Sequence, residues 1–207
     1  MMKQTQRPDE SGSLHVRRGA PAKGEASARE RILATASRLF YREGVRAVGV
    51  DTIVAESGVS KTSLYRSFAS KDDLIAAFAR EQDQLLWAWW DRVAARYPGD
   101  PAAQLSGLLA GIAKLVTRPD FRGCPFINLA TEFPSADHPG HMLARRNKQE
   151  LRQRLAALTA ALGAPQPDRA AARIALIIDG AFASASLADK ANLEADLKKA
   201  ALAVIAP

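Results

Sequence analysis

Between Val50 and Phe68 two short runs of helical apolar spacing meet at one glycine, and few architectures accommodate that arrangement. Val50, Ile53 and Val54 recur as one face of a short amphipathic helix. Gly58 supplies the positive φ that a sharp turn demands, and Val59 fills the angle between the helices. Ser60 caps a second short helix whose Leu64 and Phe68, four apart, turn inward. The opposite face carries Lys61, Thr62, Ser63, Tyr65 and Arg66. Two short helices joined by a glycine turn, the second polar and basic outside, form the helix-turn-helix pattern.

The flanking sequence is helical throughout. Ser27-Ala-Arg-Glu30 has the form of a capping box. Behind it Ile32, Leu33, Ala36, Leu39 and Phe40 give one apolar face, and Gly44 is placed to end the helix in a left-handed conformation. Ser70 opens a long helix with Asp72 and Asp73 in its first turn, where the helix dipole favours acids. It runs to about Arg96. Proline and glycine then punctuate expected helices at about 101–117, 124–133, 139–162, 168–187 and 190–205. No segment alternates with period two for long enough to predict a strand. The expected fold is all-α: a basic arm without fixed structure over 1–27, a helix-turn-helix domain over 28–74, and a larger helical domain over 75–207.

Charge and composition narrow the function classes. The net charge of +7 is uneven, with +5 in residues 1–80 and +2 in the longer remainder. Such a segment seeks nucleic acid or an anionic membrane. The first helix, with its acids and its cap, suits a folded domain better than a membrane-surface helix. There is no run of eighteen apolar residues and no apolar stretch behind the basic N-terminus, so neither a membrane span nor a secretory signal is expected, and the chain reads as cytoplasmic. Cys124 is the single cysteine, which excludes an intramolecular disulfide and a cysteine-based zinc cluster. His138 and His141 lie three apart without a completing ligand set, so a capping or surface role is expected and no metal or other cofactor. No Gly-rich phosphate loop, paired-carboxylate motif or nucleophile signature is present, and the chain does not read as an enzyme.

From Arg29 to about Phe78 the sequence resembles the TetR family of regulators. The resemblance rests on Ile53, Ser57-Gly58-Val59-Ser60, Leu64-Tyr65, Phe68 and Ser70-Lys71 followed by Leu74, all in register behind a capped first helix. Two positions depart from the family pattern: Gly49 stands where threonine often caps the second helix, and Ser67 where histidine or tyrosine often precedes the phenylalanine. The resemblance implies a three-helix DNA-binding head on a helical domain that encloses an effector pocket and forms a homodimer through its last two helices. Ile174, Ile177, Ile178, Ala181 and Ala185 are then candidates for that interface, although their periodicity serves an internal core equally well.

Particular roles follow. Lys61, Thr62 and Ser63 occupy the first turn of the recognition helix, the part that enters the major groove. Lys61 is suited to guanine O6 or N7, and the Thr62 methyl to a thymine methyl. Tyr65, Arg66 and Lys71 are assigned to the phosphate backbone, with Ser60 and Thr52 adding contacts. The expected function is a repressor that binds an inverted-repeat operator in duplex DNA and is released by a small-molecule effector. Candidates for the effector pocket are Trp87 and Trp90 on the long helix, and Phe121, Cys124, Phe126, Asn128, Thr131 and Phe133 from a segment resembling one found in a subgroup of the family. Trp89 is expected to point elsewhere. The competing reading is a thiol enzyme or a redox and electrophile sensor centred on Cys124, a thiol at a helix N-terminus.

Overall fold

The computed structural model describes residues 26–185, 187 and 191–205, so the basic arm, with Arg17, Arg18 and Lys23, lies outside the described residues. Nine helices and no strand occur among the described residues: α1 Ala28–Glu43, α2 Val50–Ser57, α3 Lys61–Ser67, α4 Lys71–Arg96, α5 Pro101–Val116, α6 Pro125–Glu132, α7 Pro139–Ala161, α8 Pro167–Ser184 and α9 Leu193–Ala203.

The punctuation operates as local chemistry requires. Ser27 Oγ accepts from the Glu30 amide while the Glu30 carboxylate accepts from the Ser27 amide, a reciprocal cap that also holds the Glu30 pKa below its ordinary value. Ser60 and Ser70 cap α3 and α4 in the same way, each accepting from the amide three residues on. Proline takes the first position of α5, α6, α7 and α8, where its missing N–H leaves no bond unmade. Gly44 does end α1 at a positive φ of 90°, but with ψ at 150° it is extended where a left-handed helical turn was expected. The long Glu132 side chain, not a turn of the glycine's own, meets the Val45 and Arg46 amides that follow.

Two apolar cores divide the chain. The first joins Ile32, Leu39, Phe40, Ile53, Leu64 and Phe68 of the three small helices to Leu74, Ile75 and Phe78 of α4, and it includes Cys124, Phe126 and Leu129 at and along α6. The second gathers Trp87, Trp90 and Val93 of α4 with α5, α7, α8 and α9. Helix α4 therefore contributes its first three turns to one core and its later turns to the other. Helix α6 lies late in sequence but packs into the core of the head.

Candidate functional site

The head carries an exposed polar face on α3. Gly58 adopts the left-handed conformation, φ 64° and ψ 26°, that sets α3 at its angle to α2. Leu64 is wholly buried and Phe68 nearly so, which turns Lys61, Thr62, Tyr65 and Arg66 outward. Ser60 and Ser63 bond to each other and to the helix backbone, and Ser67 donates to the Ser63 carbonyl. Thr52 on α2 is exposed beside this face. Lys61 Nζ lies 2.7 Å from Asp51, which raises its pKa above the ordinary lysine value through that hydrogen bond and the opposite charge. An exposed pair of this kind stabilises little, so the ammonium is available to another partner at small cost.

Lys71 is placed differently from its neighbours. Its ammonium donates to the Val45 carbonyl at 2.8 Å and lies 6.0 Å from the centroid of the Phe40 ring; burial lowers its pKa. It holds the α1–α2 loop against the start of α4.

The same loop is gripped from the other side by α6. The Glu132 carboxylate accepts from the Val45 amide at 3.1 Å and the Arg46 amide at 2.7 Å, and Arg46 Nη1 donates to the Glu132 carbonyl at 3.3 Å. The segment leading into α6 is tied to the end of α1 as well. Tyr41 Oη accepts from the Arg122 amide at 2.9 Å and donates to the Gly123 carbonyl at 3.3 Å, and Arg122 Nε reaches the Arg42 carbonyl at 3.1 Å. Burial raises the Tyr41 pKa from its ordinary 10 to about 12. At the junction of α6 and α7, His138 stacks flat on Phe133 with centroids 3.9 Å apart, accepts from the Gly140 amide as the cap of α7, and lies 3.4 Å from Asp72 of α4. His141 Nδ1 is 2.9 Å from the Phe133 carbonyl. Both imidazoles thus have protein partners, and no group of three metal-ligating side chains occurs among the described residues.

A cavity lies between the two cores, at the N-terminal end of α6. Cys124, Pro125 and Phe126 form one side; Leu86, Trp89 and Trp90 of α4, Ile112 and Leu115 of α5, Leu151 of α7, and Ile178 and Phe182 of α8 complete an apolar enclosure. Gln82, Asn147 and Lys148 supply its polar groups. The cavity volume is about 40 Å³. Three of the eight residues proposed for the pocket, Trp90, Cys124 and Phe126, line this space. The other five do not. Trp87 packs edge-to-face on Trp90 at 6.1 Å and donates from Nε1 to Asp83; Phe121 packs on the Phe182 ring at 5.9 Å. Asn128 Nδ2 donates to the Arg122 carbonyl, Thr131 lies in a shallow recess outside, and Phe133 carries the His138 stack. Trp89, expected to point elsewhere, is a wall of the cavity.

The second candidate surface is also placed. Ile174, Ile178, Ala181 and Ala185 are buried in the core of their own chain, with Ile177 packed partly against it. The face of α8 left outward carries Arg169, Arg173, Leu176, Gly180 and Ala183, with Leu176 72 % exposed.

Comparison with known proteins agrees with this geometry. Residues 32–78 match the model described as bacterial regulatory proteins, tetR family. A 48-residue stretch is 50 % identical to an HTH-type transcriptional regulator of Bacillus subtilis, YxaF; the match spans a quarter of that relative and 23 % of this chain. The crystal structure of SCO4454, a TetR-family transcriptional regulator from Streptomyces coelicolor, is 32 % identical, superposes with a TM-score of 0.81, and is matched over 94 % of its length and 86 % of this chain. The chain belongs to the TetR family of transcriptional regulators. A TetR-family regulator from Agrobacterium tumefaciens shares the fold at 21 % identity and a TM-score of 0.75, over 86 % of this chain and 98 % of that one. DNA-binding regulation of transcription is accordingly the function to which this TetR-family head belongs. No helix among the described residues is long and apolar enough to cross a membrane.

Proposed function

We propose that this TetR-family protein is a ligand-released repressor that binds an inverted-repeat operator as a homodimer. One observation carries the reading. Helix α6 begins at the apolar cavity with Cys124, Pro125 and Phe126 and ends at Glu132, which holds the two amides that lead into the helix-turn-helix. A molecule that forces the cavity wider acts on the first turn of a helix whose last residue is fixed to the head. Changing the spacing of two heads against successive major grooves then weakens operator binding, and a coupling of about 1–3 kcal/mol corresponds to roughly 5–150-fold in affinity.

Within the head, Lys61 and Thr62 are assigned to base edges and Tyr65 and Arg66 to phosphates, because these four side chains leave α3 outward. Ser60 and Ser63 shape the start of the helix, and Thr52 adds a contact from α2. Lys71 is assigned a positioning part, since its ammonium rests on Val45. For the dimer, the outward face of α8 is the better surface. Gly180 stands inside α8, where glycine is about 1 kcal/mol less favourable than alanine. A Cβ there would meet nothing within 4 Å among the described residues, so a closely packed partner helix supplies the reason that they do not.

Selection of binding sites from randomised duplex DNA, followed by affinity measurements across salt concentrations, tests the reading. An enriched inverted repeat, bound by two chains with a steep salt slope, is the expected result. Enrichment of nothing, or of single half-sites bound by one chain, defeats it.

A further inference from the structure

The chemistry of the cavity wall says what class of molecule it accepts. Four aromatic rings face the space, those of Trp89, Trp90, Phe126 and Phe182. Aromatic rings meet other rings favourably in offset or edge-on arrangements, beyond the area they bury. The charge balance is as informative as the rings. Among the described residues Lys148 is the one charged residue of the lining, and Asp179 already sits 2.5 Å from its ammonium, with both side chains partly buried. A carboxylate entering the cavity would find that cation neutralised, and a second cation would find no anion among the described lining residues. Either would be stripped of water without a charge to meet it, which is strongly unfavourable. The polar end nevertheless offers the Lys148 ammonium, which has three N–H groups for its bonds to Asp179 and Cys124 Sγ, so an acceptor oxygen is matched there.

The size of the space sets a further condition. A cavity of about 40 Å³ is too small for a ring, which needs on the order of 150 Å³, unless a wall retreats. Trp89 is the wall with room behind it. Its indole is partly exposed and also borders the open groove between α4, α5 and the start of α9. It lies so close over Gly111 that a Cβ at that position would come within 2.5 Å of Cζ2.

We infer that the cavity takes an uncharged aromatic molecule bearing one acceptor group, with the Trp89 indole yielding to admit it. The inference rests on the reading of this cavity as the effector site, and deepens it.

Four probes that share a nitro group separate the alternatives: nitrobenzene, nitrocyclohexane, 4-nitrobenzoate and 4-nitrobenzylammonium, titrated calorimetrically into the full-length protein near pH 7. Nitrobenzene is expected to bind about tenfold or more tightly than either ion, and about threefold or more tightly than its saturated counterpart. It is also expected to quench tryptophan emission in the unaltered protein, less so in Trp89→Phe. Ile112→Trp, which fills the cavity, is expected to abolish nitrobenzene binding while leaving the helical circular dichroism in place. If that variant does not fold, the quenching comparison locates the site by itself. Equal binding of 4-nitrobenzoate or of nitrocyclohexane overturns the inference, as does binding that ignores both Trp89→Phe and Ile112→Trp, or no binding by any probe. The regulator reading falls separately. If nitrobenzene binds as expected and saturation leaves duplex affinity unchanged, the ligand class stands and the release mechanism fails; if only an ion releases the duplex, the mechanism stands and the class fails.

Discussion

Replacing Glu132 isolates the link between cavity and head. Its carboxylate makes two charge-assisted bonds, to the Val45 and Arg46 amides, and the two amides differ in what they lose. Val45 is 2 % exposed, so its N–H has little access to water once the acceptor is gone; that loss is on the order of 1.5 kcal/mol. Arg46 is exposed and its amide rehydrates, leaving a loss of roughly 0.5 kcal/mol. Glu132→Ala is therefore expected to lower stability by about 2 kcal/mol, measured by urea unfolding at fixed protein concentration. Glu132→Gln keeps one acceptor oxygen but turns an NH₂ toward the second donor, and is expected to lose about half as much. The functional consequence is distinct. With nitrobenzene as probe and the selected duplex as target, the ratio of duplex affinities without and with probe is expected to fall toward one in both variants, while probe affinity for the cavity changes little. A stability loss below about 0.5 kcal/mol in Glu132→Ala would show that the two bonds do not hold the loop. An unchanged ratio in a variant that has lost the expected stability would show that the link between the sites runs elsewhere, α4 and α7 being the elements that contribute buried residues to both cores.

Three further outcomes follow from the geometry. Arg66→Ala is expected to weaken all duplexes alike and to reduce the salt slope by about one, whereas Lys71→Ala leaves the slope unchanged and loosens the α1–α2 loop, visible as faster amide exchange at Val45 and Arg46. Gly180→Leu, on the outward face of α8, is expected to shift the protein to monomer in sedimentation while leaving the protomer's helical content intact; a dimer as tight as before would move the interface off this face. Tyr41 is buried and its pKa is raised from 10 to about 12, so its contribution is fully present below pH 10 and is lost as pH rises through 10 toward 12. Tyr41→Phe is expected to flatten that alkaline loss of stability in a pH series of urea unfolding.

The parts of the fold that were legible in the sequence are those set by short-range chemistry. The Ser27 and Glu30 capping box, the serines before α3 and α4, Gly58 at the turn and the prolines at helix starts each act within four residues, and their positions recover most helix boundaries to within a residue or two. Which face of a helix meets which partner is settled by tertiary packing. Ile174, Ile178, Ala181 and Ala185 form a stripe that serves an interface or a core equally well, and in the protomer it is core. On α4, one position separates Trp89 from Trp90 and an ideal helix points them 100° apart, yet both border the cavity, because its lining draws on Ile112 and Leu115 of α5 as well as on α6, α7 and α8. Glu132 carries no local signal at all. Its partners are some 86 residues earlier in the chain, and a glutamate at the end of a short helix is unfavourable by the dipole rule until the loop amides it reaches are known.

That last residue also explains how a helix as short as α6 acts as a connecting element. Eight residues are too few to be stable as a helix in water, and Cys124 at the cap position makes no side-chain bond to the first turn. What holds α6 in place is tertiary: Phe126 and Leu129 buried in the head core, and Glu132 fixed to the α1–α2 loop. A helix held this way has no independent preference for its position and follows whichever anchor moves. Phe126 belongs to the head core and to the cavity wall at once, so a ring that displaces its side chain perturbs the packing that seats α6. The head then loses part of its support from the side of Val45 and Arg46, immediately before the two helices proposed to meet DNA.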